Sequence, residues 1–363
     1  MRVQFSFARL VVCLFCTLLY VAAGSSLARG EQRSRSIGDA PEPEQTPASP
    51  YTGYLPVVAG PAGQTEPTPT PAPQRQAAVA LFTTYFLPAL AEMPQWTGDI
   101  EGCVPGSIST ARLGAIEKQI NYFRLVAGVP PIALDATMNF RAQSAALMMA
   151  AAGALSHSPQ PTWPCYTEEG KIGAGRSDLG LSYGYDVRES VIRFMLDDGA
   201  NNVAVGHREW LLAPPTTHMG AGEVQGPEWD AYAVHVVDPD AVYYGAWPPM
   251  RDGFVAWPPP GYVPHQVVYA RWSFFLRSAD FGSATVTMML DGQTVPAAIV
   301  YAETGGEQRA VGGWNALVWE PRPDLKALDW SVTHSVKVTI DKVKVDGAMR
   351  NFTYEVLLFD PEQ

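Results

Sequence analysis

Between Val205 and Leu212 the chain reads VGHREWLL, with a histidine set in an apolar, helix-like run. The spacing predicts a helix on which Val203, His207, Trp210 and Leu211 fall at i, i+4, i+7 and i+8. The His207 imidazole then faces inward, and Arg208 and Glu209 point to water. Imidazole changes charge near neutral pH, so such a ring can serve as acid, base or metal ligand, and a buried one needs a partner. A second histidine, His157, stands in LSHS. His218, His235, His265 and His334 occupy strand or loop contexts and read as surface or satisfied structure.

Other catalytic patterns are weaker. A serine hydrolase assembled from Ser158 or Ser177 with His157 or His207 is open in principle, but no sequence feature favours it. G-x-S-x-G is absent, and GRSDLG places its second Gly one residue late. There is no H-E-x-x-H and no phosphate loop, and GAGRSD lacks the third Gly of a dinucleotide fingerprint. Glu168 and Glu169 read as solvated loop residues, with a place at a cleft border as the alternative. Cys103 and Cys165, in EGCVPGS and TWPCYT, lie in Pro-flanked loops with no adjacent base. In an exported chain they read as one disulfide rather than a catalytic thiol or a metal pair. Closing a loop of about 60 residues is worth on the order of 4 kcal/mol in the chain-entropy model.

The elements that must position these groups are legible as periodicities. ARLGAIEKQINYFRLVAG predicts a helix that stops at Gly128 before Pro130 and Pro131. Asp135 caps a second helix, which ends in the apolar run AALMMAAAGAL and reads as the central buried helix of its domain. Asp186 and Glu189 are spaced as a cap and its reciprocal acid for a helix from Val187 to about Asp198. HMGAGEV and AYAVHVVD read as strands, and AAVALFTTYFLP as a short helix packed on this domain. Beyond Gln266 the texture changes to alternating strands, with Asp291-Gly292 as a hairpin turn. About a hundred such residues predict a β-sandwich. Trp247, Trp257, Trp272, Trp314 and Trp319 read first as connector and core residues and second as a carbohydrate platform.

The first 24 residues carry Arg2 and Arg9, then an apolar stretch and small residues, the layout of a secretory signal; an uncleaved anchor is the alternative. Residues 25–76 turn to Pro, Thr, Glu and Gln and predict a disordered tether. Signal removal takes the formal net charge from −11 to −13, because residues 1–24 hold two positive charges and no negative ones. So acidic a chain is ill suited to nucleic acid. The division that follows is 1–24 signal, 25–76 tether, 77–240 helical domain with its N-terminal extension, 241–265 Trp- and Pro-rich connector, and 266–363 β-sandwich. After signal removal no membrane span is expected, and a secreted or cell-envelope monomer is.

The order INYFRLVAGVPPIALD, AQSAALMMAAAGALSHS, an acidic helix end, VGHREWLL and the HMGAGEV strand resembles the CAP superfamily: cysteine-rich secretory proteins, antigen 5 and pathogenesis-related 1 proteins, in their bacterial secreted branch. The likeness runs from about Ser109 to Asp238. It implies an α+β chain, a three-layer α-β-α sandwich, here followed by an immunoglobulin- or fibronectin-like sandwich. It also implies a cleft with two histidines and two acids that holds a divalent metal in some members. By motif position His157 and His207 are the histidines. Asp197, three residues after Phe194 and beside Asp198, is one acid. The other belongs to a Gly-Glu-Asn motif, and here Ser177 stands in that place with Asp178 next to it, a departure from the family. Two imidazoles and a carboxylate suit zinc, with an open position for a nucleophilic water. The readings in view are a non-catalytic module whose cleft takes a small apolar or amphipathic ligand or a cell-surface component, a metal-assisted hydrolase through His157 and His207, and an envelope structural protein.

Overall fold

The computed structural model describes residues 71–183, 186–239, 247–304, 314–322 and 325–363. The expected signal and nearly all of the tether, residues 1–70, lie outside the described residues. The described residues belong to one compact unit.

The chain enters through α1 (Pro71–Leu81), a π-helical turn (Phe82–Phe86) and α2 (Leu87–Ala89). This helix starts six residues before the boundary expected at Ala77. Its apolar residues explain its docking: Phe82 and Phe86 stack with centroids 4.9 Å apart, and Phe86 meets Tyr122 at 5.1 Å and Phe123 at 5.9 Å. Those two rings lie on α3 (Thr110–Val126), where Ser109 accepts from the Arg112 N–H and Gly128, at φ 77°, lets the chain turn away. Asp135 caps α4 (Ala136–Ala152) by accepting from the Met138 N–H, and Gly153 ends it in the left-handed conformation. The Glu168 and Glu169 segment is a helix rather than a loop: α5 (Glu168–Gly175) is capped by Thr167. Glu168 is exposed, as expected, whereas Glu169 is half-buried and holds Arg141 at 2.6 Å.

Four strands make the first sheet, in the order β1 (Ala133–Leu134), β3 (His218–Gln225), β4 (Asp230–His235), β2 (Ser177–Ser182). Residues on opposite faces of β4 enter different cores: Tyr232 and Val234 join the aromatic core with α3, and Ala231 and Ala233 join the Ala- and Met-rich core under α4. Both faces are thus covered, giving helix, sheet and helix layers. Helix α4 sits so close to β3 that a Cβ on Gly222 would fall 2.2 Å from the Gln143 nitrogen. Only glycine fits there.

The remaining strands form two further sheets. One runs β11 (Ala297–Ala302), β12 (Trp314–Pro321), β7 (Trp272–Arg277), β5 (Val255–Trp257). The other runs β10 (Gln293–Val295), β9 (Thr285–Leu290), β13 (His334–Val345), β14 (Ala348–Phe359), β6 (Gly261–Pro264), with β8 (Ala279–Asp280) on β13. Phe274 on one sheet meets Phe352 on the other at 5.2 Å, so the two pack face to face. Asp291 and Gly292 both have positive φ, as a two-residue hairpin requires. The segment expected as a connector supplies β5 and β6, because its Trp and Val side chains are core material. Trp257, Trp272, Trp314 and Trp319 are fully buried, which removes the sugar-platform reading for these four. Cys103 and Cys165 form the expected disulfide, 62 residues apart. Among the described residues no helix is long and apolar enough to cross a membrane.

Candidate functional site

Helix α6 (Ser190–Leu196) follows a 3-10 turn at Val187–Glu189. Asp186 caps that turn by accepting from the Arg188 N–H, while Glu189 pairs with Arg193 instead of reaching back to the cap. The helix ends at Asp197 in the left-handed conformation, φ 49°, an unusual state for a residue with a Cβ. That twist turns the carboxylate onto the start of α7 (Gly206–Leu211). Asp197 Oδ2 accepts from the His207 backbone N–H at 2.9 Å, and Oδ1 accepts from His207 Nδ1 at 2.8 Å. Phe194, one turn earlier, packs its ring 5.2 Å from the imidazole.

The periodicity expected for VGHREWLL does not hold. Helix α7 begins only at Gly206, so Val203 is not on it, and Arg208 and Glu209 are buried at 0% and 1% exposure while His207 keeps a partly open side. The reason is polyvalent hydrogen bonding: Arg208 donates to the carbonyls of Met195, Leu196 and Arg271 and to Ser273 Oγ. A guanidinium with five donors satisfies buried chain ends that would otherwise lack partners.

Strand alternation sets Asp178 apart from its neighbour Ser177. In the β2–β4 register Asp178 lies opposite Val234 and Ser177 opposite His235, so the two neighbours face opposite layers. Asp178 shares the Val234 face with α6 and α7, and the charges of His207 and Asp197 act on it. Ser177, the residue expected at the acid position, faces the α4 layer. Asp198 lies outside this pairing. His157, at the exposed end of the loop after α4, lies 2.9 Å through Nδ1 from the carbonyl of Ala174, and it too senses the His207 charge. The structure therefore gathers His157, Asp178, Asp197 and His207 about one locus.

Their protonation differs. Burial disfavours the His207 cation, but the charge and hydrogen bond of Asp197 outweigh it and lift its pKa to about 9. His207 is an imidazolium at neutral pH, a donor at both nitrogens. Burial pushes Asp178 well above the usual carboxylate range, with Asp197 adding to the rise and His207 opposing it. One of its oxygens has no hydrogen-bond partner. His157 is held down by loss of solvent and by the His207 charge. Since a carbonyl only accepts, its Nδ1 carries the proton and Nε2 keeps a lone pair. The site is a fixed ion pair flanked by two groups that favour their neutral forms.

That donor set does not suit a divalent ion. Both Asp197 oxygens are committed to His207, which is itself protonated, and Asp178 favours the neutral acid. Among the described residues no three His, Cys, Asp or Glu side chains are placed to share a metal.

One residue essential to this arrangement carries no sequence signal. Arg271, 74 positions beyond Asp197 and immediately before the sandwich strand β7, donates to the carbonyls of Asp197 and Asn202 at 3.0 Å and of Gly199 at 2.8 Å. It clamps the turn that carries the site acid.

The class is that of an α-β-α layered domain with an Asp197–His207 ion pair on one face of its sheet. Residues 118–237 match the CAP family model, the cysteine-rich secretory protein family, and this part of the chain is a CAP domain. No curated protein matches the chain.

Proposed function

We propose that this chain is an exported, non-catalytic binding protein whose CAP domain takes a small apolar or amphipathic ligand beside His157 and His207. The observation that carries the reading is the Asp197–His207 ion pair. An imidazolium held by a buried carboxylate is a fixed hydrogen-bond donor for a polar head group, and it is a poor general base and a poor metal ligand at neutral pH. The Phe194 ring against the imidazole offers apolar contact next to the charge. Export is supported by the signal-like residues 1–24 and by the disulfide.

The test is an NMR titration of the imidazole resonances, first with dodecanoate as an anionic single-chain probe and then with zinc. Saturable shifts of the His157 and His207 rings with dodecanoate, lost in His207→Gln, are the expected result. Stoichiometric zinc uptake that moves both rings, with no dodecanoate response, would instead support the metal-assisted hydrolase.

A further inference from the structure

The sheet face opposite the ion pair carries a separate cavity of about 280 Å³, at the end where β3 begins and β4 ends. Its lining includes Asp135, Arg141, Arg176, His218, His235 and Asp238. The first sheet separates it from His207: His235 follows Ala231 and Ala233 in alternation onto the α4 face, whereas Asp178 lies on the other.

Several of these polar groups already have partners. Asp135 caps α4, Arg141 is paired with Glu169, His218 Nδ1 lies 3.0 Å from Thr217 Oγ1, and Asp238 is also engaged. Two groups differ. Arg176 is held through its backbone, its N–H donating to Gly173 and its carbonyl accepting from Val236 and Val237, while its guanidinium has no hydrogen bond or ion pair among the described residues. His235 is 1% exposed, and its Nδ1 has no hydrogen-bond partner. A buried ring nitrogen without a partner is costly, and an unpaired guanidinium beside it supplies five donors. Burial and the charges of Arg176 and Arg141, opposed by a backbone contact with Val237 and by the charge of Asp238, push the His235 pKa down to about 4, so the ring is neutral at pH 7. Asp135 and Asp238 also line the cavity, but the Arg176 guanidinium is a cation without an acidic partner among the described residues and so is the group that would receive an anion.

We propose that this cavity is a binding site for a small oxyanion, a carboxylate or phosphate group, held by the Arg176 guanidinium and the Nδ1–H of His235, with Arg141 at its flank. The cavity volume restricts the ligand to a small molecule or to the charged end of a larger one. The site does not depend on the ion pair on the other face, and its ligand need not be the one bound there.

The test uses the purified full chain at constant ionic strength, titrated separately with inorganic phosphate and with acetate. The His235 ring resonances serve as readout and are assigned with His235→Asn. A saturable shift of His235 with either anion, weakened at least tenfold in Arg176→Gln and partly kept in Arg176→Lys, is the expected result. The anion that saturates identifies phosphate or carboxylate as the source. Lys337→Gln, remote on β13, should bind as the parent chain does. Linear shifts with both anions, or equal binding by parent and Arg176→Gln, would overturn the proposal.

Discussion

At the scale of single residues, the chemistry is set by which partner each histidine finds. Asp197 turns His207 into a cation, so the folded state holds this proton more tightly than the unfolded chain does, whose histidine titrates near 6.5. The resulting stabilisation is complete below about pH 6.5 and is lost as pH rises through about 9. Unfolding midpoints in urea should therefore fall across that window. Asp197→Asn should flatten the alkaline fall and cost about 3 kcal/mol at pH 6, as removal of one partner from a buried pair does. His235 behaves in the opposite sense. Its pKa of about 4 keeps it neutral in the fold, so its contribution is lost as pH falls from 6.5 toward 4. Phosphate, if it binds as proposed, should raise the His235 pKa, which the same NMR titration would register.

At the scale of elements, close approach and clamped turns do the positioning. The contact of β3 with α4 leaves no room for a methyl at Gly222, so Gly222→Ala must push the helix outward. The expected cost is about 2 kcal/mol or more, read from the urea midpoint. Arg271 holds three carbonyls of the turn that begins with Asp197. Arg271→Ala should lower stability by about 1 to 3 kcal/mol and bring the His207 pKa down from about 9 toward its ordinary value. A purely structural role for Arg271 would change the first quantity and leave the second. Reduction of Cys103–Cys165, which closes a loop of 62 residues, should remove on the order of 4 kcal/mol.

At the scale of the whole molecule, the CAP domain and the sandwich share one continuous core. Phe123 of α3 meets Trp257 of β5 at 5.1 Å, and Arg208 of α7 donates to the Arg271 carbonyl and Ser273 of the sandwich. A chain ending at residue 265 would keep Trp257 while removing β7, the strand that pairs with β5. That fragment should not fold independently, and circular dichroism and sedimentation would show an unfolded or aggregated chain. A folded helical fragment would mean that the shared core is dispensable.

Local sequence determined a good deal of this: the caps at Asp135 and Asp186, the stop at Gly128, the hairpin at Asp291-Gly292 and the pairing of the only two cysteines beyond the signal-like segment. Each is decided by residues within a few positions of one another, or by elimination. Motif order also pointed to His157, His207 and Asp197. Tertiary structure alone decided the rest. Asp178, not Ser177, joins the histidines, because the register of β2 against β4 sets which of two neighbours faces α7. Arg208 is buried because its hydrogen bonds to distant carbonyls override helical periodicity. Arg271 reaches the site from the sandwich because only folding brings the start of β7 beside the turn at Asp197, and hydrophobic patterning along a chain contains no information about that distance.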